Sequence, residues 1–593
     1  MLEKQRKSEC MPFSLLADAY ERIEGTQARL EIMGIMADVF AKANAGNIDK
    51  IIYLSQGLVA PPHEGLEVGL GEKFVEEAIS LATGYPKRIV EEKYKKLGDL
   101  GLVAEALIKD KKQTSLFVEP LTVEKVYDNF LKIAKTGGKG SQEAKIKALV
   151  DLLNNATPKE ARYITRFPIG RLRLGLGDAT MIDALSAYHA GDKSLREEIE
   201  RAYNITSDLG FVAKKFFEDP ASIRGITVEP FKPIRPALAE RLASAEEIIE
   251  KIGECAVEAK YDGFRCQVHK KGDVVEIFSR KLERTTSMFP EIVESARELK
   301  VESAIFEGEA LAVNETTGEF YPFQMTIQRK RKYGVEEMAE EYPLKLFVFE
   351  ILYLNGRDLT NEPYARRRKM IEENMHAGII EPADMKIASS AKELEEYFES
   401  YIERGLEGIV AKDLNAPYVA GARKFAWIKL KRSYQGELAD TVDVVIVGYY
   451  LGKGKRAQFG FGGLLGAVYD EEDGRFKTVA KIGSGFTEEQ MVEFRRELDK
   501  IRVKEKPTEV DALITPDFWV IPKYVVSVSA DEITRSPTHT CGRKENETKG
   551  YALRFPRIIG GIRMDKGPTD ATTVGEIIRM HDMQSKKTVA DSV

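Results

Sequence analysis

The sequence predicts a multidomain chain, with an all-α domain first, an α+β domain second and a small β-barrel third. Three observations carry this. At 593 residues the chain is about four times the ~150 residues of an ordinary domain, which excludes one shared core. Up to about residue 225, apolar residues recur at helix-face spacing with little strand-like alternation. Beyond that point, alternating runs broken by glycine-rich turns take over.

In the first part, Phe13, Leu16, Ala17, Tyr20 and Ile23 share one helix face, as do Ile146, Leu149, Val150 and Leu153. Thr157-Pro158-Lys159-Glu160 marks a helix start, with an N-cap, a proline in the first turn and a glutamate placed to close a capping box. The proline-bearing stretch from Val228 to Pro236 cannot continue a helix, so the first boundary falls at 225/226. In the second part, Phe264, Cys266 and Val268 alternate with polar residues, and Lys271-Gly272-Asp273 turns the chain into Val274–Phe278, a hairpin. Past residue 437, short strands such as Val442–Val447 and Leu464–Tyr469 suggest the barrel. The expected domains are 1–225, 226–436 and 437–593, with Glu576–Met580 in a short amphipathic terminal helix.

Composition removes several classes of protein. No apolar stretch approaches the ~20 residues that span a bilayer, and the N-terminus lacks the apolar core of a secretion signal, so a cytoplasmic location is expected. The four cysteines form no CxxC pair and the six histidines are scattered, which argues against zinc fingers and disulfide scaffolds. A net charge of −6 disfavours indiscriminate nucleic-acid binding without excluding local basic patches.

The most specific string is Glu258-Ala259-Lys260-Tyr261-Asp262-Gly263-Phe264-Arg265. Its Asp-Gly pair reads as a tight turn between two strands, letting Lys260 and Arg265 converge on one pocket, where a neighbouring cation favours the neutral, nucleophilic amine. Taken alone, the string reads first as a surface Lys-Arg pair on a turn. Period-two geometry puts Glu307 and Glu309 on one strand face, suited to a metal or a ribose, or else simply solvated. Glu407 precedes a buried-looking run ending at Lys412, and Lys429 and Lys431 share a face opposite Ile428 and Leu430, a placement that suits a polyphosphate.

Taken in order, these segments resemble the motifs of the ATP-dependent DNA ligases of the covalent nucleotidyltransferase superfamily, most closely the archaeal and eukaryotic replicative type. The resemblance implies an all-α DNA-binding domain, a nucleotidyltransferase (adenylation) domain and an OB-fold. It implies that Lys260 takes the adenylate, that Glu258 contacts adenine, and that Arg265 and Arg280 hold ribose and phosphate. It further makes Phe349 the ring stacked on adenine, although a core phenylalanine is the default reading of that strand. Arg423 becomes a nucleotide contact, Lys429 and Lys431 the α-phosphate lysines, Glu309 a ribose or metal contact, and Glu407 the second carboxylate linked to Mg²⁺. Arg563, Asp565 and Lys566 resemble the last family motif, which orients the pyrophosphate leaving group. ATP and Mg²⁺ are the implied cofactors, nicked duplex DNA the partner, and a monomer is expected.

The helical part extends the match. The string from Arg166 to Gly177 resembles a signature of the DNA-binding domain of larger ligases, with Arg166, Arg171 and Arg173 as a cationic cluster. Gly137-Gly138-Lys139-Gly140-Ser141 lies between two helices; with Ser141 as N-cap, Gly138, Gly140 and Ser141 would form a phosphate site, and a glycine C-cap before a new helix fits as well. Gln113-Thr114-Ser115-Leu116-Phe117 resembles a shortened sliding-clamp-binding peptide in which Leu116 replaces an expected aromatic; an ordinary loop fits equally. The basic run Arg329–Lys332 faces either DNA or solvent. An RNA ligase or capping guanylyltransferase shares the lysine motif, but the Arg166–Gly177 and Arg563–Lys566 strings argue against both. A non-catalytic nick-binding scaffold has no need of the nucleophile.

Overall fold

The computed structural model describes residues 10–111, 119–138, 140–172, 174–313, 343–404, 406–431, 441–452, 458–530, 532–544 and 547–590, without the side chains of 403 and 583–590. The chain forms two compact units: residues 1–203, 208–226 and 503–509 in the first, and 204–207, 227–502 and 510–593 in the second. Among the described residues, no helix is long and apolar enough to cross a membrane.

The first unit is helical. Helix Phe13–Glu24 buries Phe13, Leu16, Ala17, Tyr20 and Ile23, and helix Ser141–Asn155 buries Ile146, Leu149, Leu152 and Leu153. The capping box closes as expected, Thr157 accepting from the Glu160 amide while Glu160 accepts from the Thr157 amide at 2.8 Å. Helix Leu100–Lys109 packs on helix Pro158–Arg166 at Gly101, where a Cβ would sit 2.6 Å from the Arg162 carbonyl. Only glycine admits that approach.

In the second unit, the strands are β1 Leu238–Arg241, β2 Cys255–Lys260, β3 Phe264–Lys271, β4 Val274–Ser279, β5 Ser303–Ala312, β6 Leu344–Leu354, β7 Arg357–Asp358, β8 Ile380–Pro382, β9 Met385–Ala388, β10 Gly408–Asp413 and β11 Arg423–Lys431. They make two sheets, ordered β1-β11-β10-β2-β9 and β4-β3-β5-β6-β7, with β8 added parallel to β6. The β3–β4 hairpin forms as expected, turning at Gly272 with φ 56°. The Asp262-Gly263 turn does not make a hairpin: β2 and β3 lie in different sheets, so this step carries the chain from one sheet to the other. Gly263 is needed for close packing, because a Cβ there would meet the Ala310 carbonyl at 2.5 Å.

Next come β12 Val442–Tyr450, β13 Gly463–Asp470 and β14 Arg475–Ile482, central to an eight-stranded sheet in which Val525–Ser529 joins β12 to Arg557–Arg563. Val444, Leu464, Val468 and Val526 fill its core. The terminal helix is longer than expected, running Val574–Ala590, and buries Ile577 and Met580 in that same core.

Candidate active site

Strand register builds the site. β10 lies between β2 and β11, so Lys260, Gly408 and Lys431 form one row across the sheet, and Glu258, Val410 and Lys429 the row two residues along. A Cβ on Gly408 would fall 2.2 Å from the Leu430 carbonyl. The bare position leaves space between the two lysines, and Glu407 fills it: its Oε2 accepts from Lys260 and its Oε1 from Lys431. Burial would raise Glu407, but the two lysines hold it well below the usual carboxylate range. The nearest partner of Lys260 is thus a carboxylate, where the sequence suggested a cation.

These residues open on a cleft of about 240 Å3 that also receives Arg265, Arg280, Phe349, Arg423, Arg563, Asp565 and Lys566. The strand step at Asp262-Gly263 explains the convergence of Lys260 and Arg265, one from each sheet. Phe349 follows Phe347, the partner of Glu309, by two residues, so strand alternation puts it on the cleft face; it is the extra residue of a bulge, with Glu307 paired to Glu350 and Gly308 to Val348. Its ring stands edge-to-face with Trp427 at 6.0 Å, and the Arg265 guanidinium lies 5.3 Å from its centre.

Glu307 and Glu309 share a face, as expected, but their environments differ. Glu307 accepts from Arg265 at 2.9 Å, from the Tyr418 hydroxyl at 2.8 Å and from Gln267 at 3.2 Å, so it is fully engaged in fixing Arg265. Glu309 carries no such set. Burial pushes its carboxyl up to about 7, against the pull of Lys260 and Arg265. A hard cation beside it would reverse that shift, and Mg²⁺ commonly uses one or two carboxylates and completes its shell with substrate phosphates and water. Among the described residues no cluster of three or more metal-binding side chains exists. Glu407 can join only by releasing its lysines.

Four further carboxylates occupy cations of the cleft. Glu576, from the terminal helix, accepts from Lys429 at 3.1 Å and pairs with Arg423 at 2.7 Å. Arg579 of that helix pairs with Glu240 at 2.7 Å, so Glu576 and Arg579 dock the helix through three ion pairs. Burial pulls the Lys429 amine down to about 7, with Glu576 acting against it. Asp443 takes Lys566 and the Ser527 hydroxyl, while Arg563 chelates Asp565 at 2.9 and 2.7 Å. Arg280 stands 3.6 Å from Asp570.

At the inner end, Glu258 is 2% exposed and caged by Lys412 at 2.7 Å, by the Tyr364 hydroxyl, which donates to it, and by Arg368 at 3.7 Å. Lys412, Tyr364, Asp443 and Glu576 were not singled out from sequence. Lys412 carried a usable signal, a charge closing the buried run from Gly408; the others lie more than 100 residues from their charged partners Glu258, Lys566 and Lys429.

In the helical unit the expectations divide. Arg166 is not an exposed phosphate contact: it is 4% exposed, bonded to Asp99 at 2.8 Å and to Glu24. Asp99 also caps helix Leu100–Lys109, so Arg166 neutralises a buried cap. Arg171 pairs with Glu72 at 2.8 Å. Gly138 and Gly140 adopt φ of 87° and 81°, and Gly140, not Ser141, is the N-cap; Ser141 is the first helical residue. Arg173, the Gln113–Phe117 peptide and the Arg329–Lys332 run lie outside the described residues.

Known proteins align along the whole chain. Residues 236–431 match the family described as ATP dependent DNA ligase domain, 12–186 the DNA ligase N terminus, and 457–566 the ATP dependent DNA ligase C terminal region. A "Probable DNA ligase" of Dictyoglomus turgidum is 53% identical, the alignment covering 98% of this chain and 99% of the relative. "DNA ligase 2" of Thermofilum pendens is 43% identical over the same shares. A lysine-bearing cleft assembled from ordered motifs, within a chain matched along nearly its full length, leads to one conclusion: this chain belongs to the ATP-dependent DNA ligases.

Proposed function

We propose that this chain seals nicks bearing a 5′-phosphate and a 3′-hydroxyl in duplex DNA, in three phosphoryl-transfer steps. The Lys260 amine attacks the α-phosphorus of ATP, an N–P bond forms, and the P–O bond to pyrophosphate breaks. The surplus proton passes to the adjacent Glu407 carboxylate. The adenylyl group then moves to the 5′-phosphate of the nick, breaking the N–P bond. Finally the 3′-hydroxyl attacks that phosphorus and AMP leaves.

The observation that carries this reading is Glu407 between Lys260 and Lys431, opposite Lys429. It supports a reading in which a nucleophile, a proton acceptor and phosphate-binding cations share one cleft, as phosphoryl transfer requires. In this reading Glu258 meets adenine, Phe349 stacks on it, Arg265, Arg280 and Arg423 hold ribose and phosphates, and Arg563, Asp565 and Lys566 orient pyrophosphate. Glu309, with Glu407 once freed, would hold Mg²⁺, which supplies positive charge to the phosphoryl oxygens. Arg171, Arg173 and the Gly138–Ser141 turn would meet the DNA backbone, and Gln113–Phe117 a sliding clamp. We assign 1–225 to DNA binding, 226–436 to adenylation and 437–593 to an OB-fold with its terminal helix, acting as a cytoplasmic monomer. The test is intact mass after incubation with ATP and Mg²⁺, following removal of prior adenylate with pyrophosphate. One adenylate on the wild type, none on Lys260→Ala, and discharge with sealing on a nicked duplex are expected; no adduct would overturn the reading.

A further inference from the structure

The cage around Glu258 is part of the wall of the cleft, and no bond-making step above uses it. Glu258 and Lys412 both line the cleft, and each Glu258 oxygen is already engaged: Oε2 by Lys412 at 2.7 Å, Oε1 by the Tyr364 hydroxyl. Arg368 adds charge at 3.7 Å, its Nη1 buried without a hydrogen bond. Lys412 is equally committed. It donates to Glu258 and, at 2.7 Å, to the Phe349 carbonyl, and its ammonium lies 4.3 Å from the centre of the Trp427 ring. It is 1% exposed. Beyond it, Arg367 chelates Glu350 at 2.8 and 3.0 Å, so the neighbouring charges are also matched.

The chemical consequence concerns the base. A carboxylate fixed by cations can only accept hydrogen bonds. Facing the cleft, it rewards a base edge carrying an exocyclic amino group and repels a carbonyl oxygen there, and two of the three donors of Lys412 are spent on Glu258 and the Phe349 carbonyl. A lone, mobile glutamate would discriminate poorly, because it can rotate away or take up a proton to become a donor. Resting on the reading that Glu258 meets the base, we propose that Lys412, assisted by Tyr364 and Arg368, is the positioning residue that makes Glu258 an acceptor-only selector for a 6-amino purine.

The test compares adenylylation-type labelling of Lys260, by intact mass against time, with three nucleotides: ATP, purine riboside triphosphate, which carries hydrogen at position 6, and inosine triphosphate, which carries oxygen there. In Lys412→Met the preference for ATP over both analogues should shrink at least tenfold, and efficiency with ATP should fall about 100-fold, mainly through KM. A general packing defect would slow all three nucleotides alike. An unchanged preference in Lys412→Met overturns the proposal. If that variant fails to fold by thermal melting, Tyr364→Phe removes one donor from Oε1 and should shrink the preference about threefold or more; an unchanged ratio there overturns the proposal. Glu258→Gln separates the two levels. If its preference stays at the wild-type value, the reading of Glu258 as the base contact fails; if it collapses while Lys412→Met keeps the wild-type ratio, only the role of Lys412 fails.

Discussion

Glu576 places its carboxylate 3.1 Å from the Lys429 ammonium, with Arg423 on the same oxygen at 2.7 Å, although 147 residues separate the acid from the lysine. A side chain of the terminal helix therefore occupies the cations that the nucleotide phosphates are expected to use. Incoming polyphosphate has to displace it.

The first prediction follows from that competition. Glu576→Gln should lower the KM for ATP in Lys260 adenylylation by about three- to tenfold, since a neutral amide no longer competes for Lys429 and Arg423. The same change should lower the melting temperature, because an ion pair docking the helix is lost. An unchanged KM would mean that the helix leaves the cleft before ATP arrives.

Glu407 yields a second prediction. Its two oxygens serve Lys260 and Lys431, and an amide can accept from only one of them while turning an N–H toward the other. Glu407→Gln should slow adenylylation by about 10²- to 10⁴-fold, the range of a displaced acid–base group, and change ATP affinity by less than about tenfold. Single-turnover mass spectrometry beside equilibrium ATP binding reads both. Equal losses in the two would make Glu407 a binding residue instead.

Glu309 gives a pH dependence. Burial lifts its carboxyl to about 7, so it is largely protonated below that pH and ionised above it. A proton and Mg²⁺ then compete for one site, and the half-saturating Mg²⁺ concentration should rise about tenfold per unit as pH falls below 7. The folded-state value is raised, so between the ordinary carboxylate range and 7 the folded protein binds the extra proton. Stability therefore falls as pH rises through that window, and Glu309→Gln should flatten both dependences. Magnesium titrations of adenylylation at pH 6 and 8, with melting curves in the same buffers, provide the check.

What was legible in the sequence was whatever depends on short-range pattern. The face of Phe13–Ile23, the Thr157–Glu160 box and the Gly272 hairpin follow from local spacing, and the ordered motifs identified the cleft residues. What escaped depends on long-range packing. Asp262-Gly263 has the composition of a hairpin turn, and only the crowding of Gly263 by Ala310, 47 residues on, makes it a step between sheets. Phe349 looks like core because its strand is apolar, and only the pairing of that strand with β5, which sets Phe347 opposite Glu309, puts its face on the cleft. Arg166 sits in a string of arginines and glycines that reads as a phosphate site, while its partner Asp99 lies 67 residues earlier.

That last correction is itself testable. The side chains of Arg166 and Asp99 are 5% and 4% exposed, so removing the arginine leaves an uncompensated carboxylate at a buried helix cap. Arg166→Met should destabilise the helical unit by roughly 3–5 kcal/mol, a fall of about 10 °C in Tm. Arg166→Met combined with Asp99→Asn should recover part of the loss, because the stranded charge is gone while the asparagine still caps. Where the single variant remains folded, nicked-duplex affinity should keep the wild-type dependence on salt. A phosphate contact would instead reduce the slope of log K against log salt by about 0.9. A reduced slope with an unchanged Tm would move Arg166 from the interior of the helical unit to the DNA.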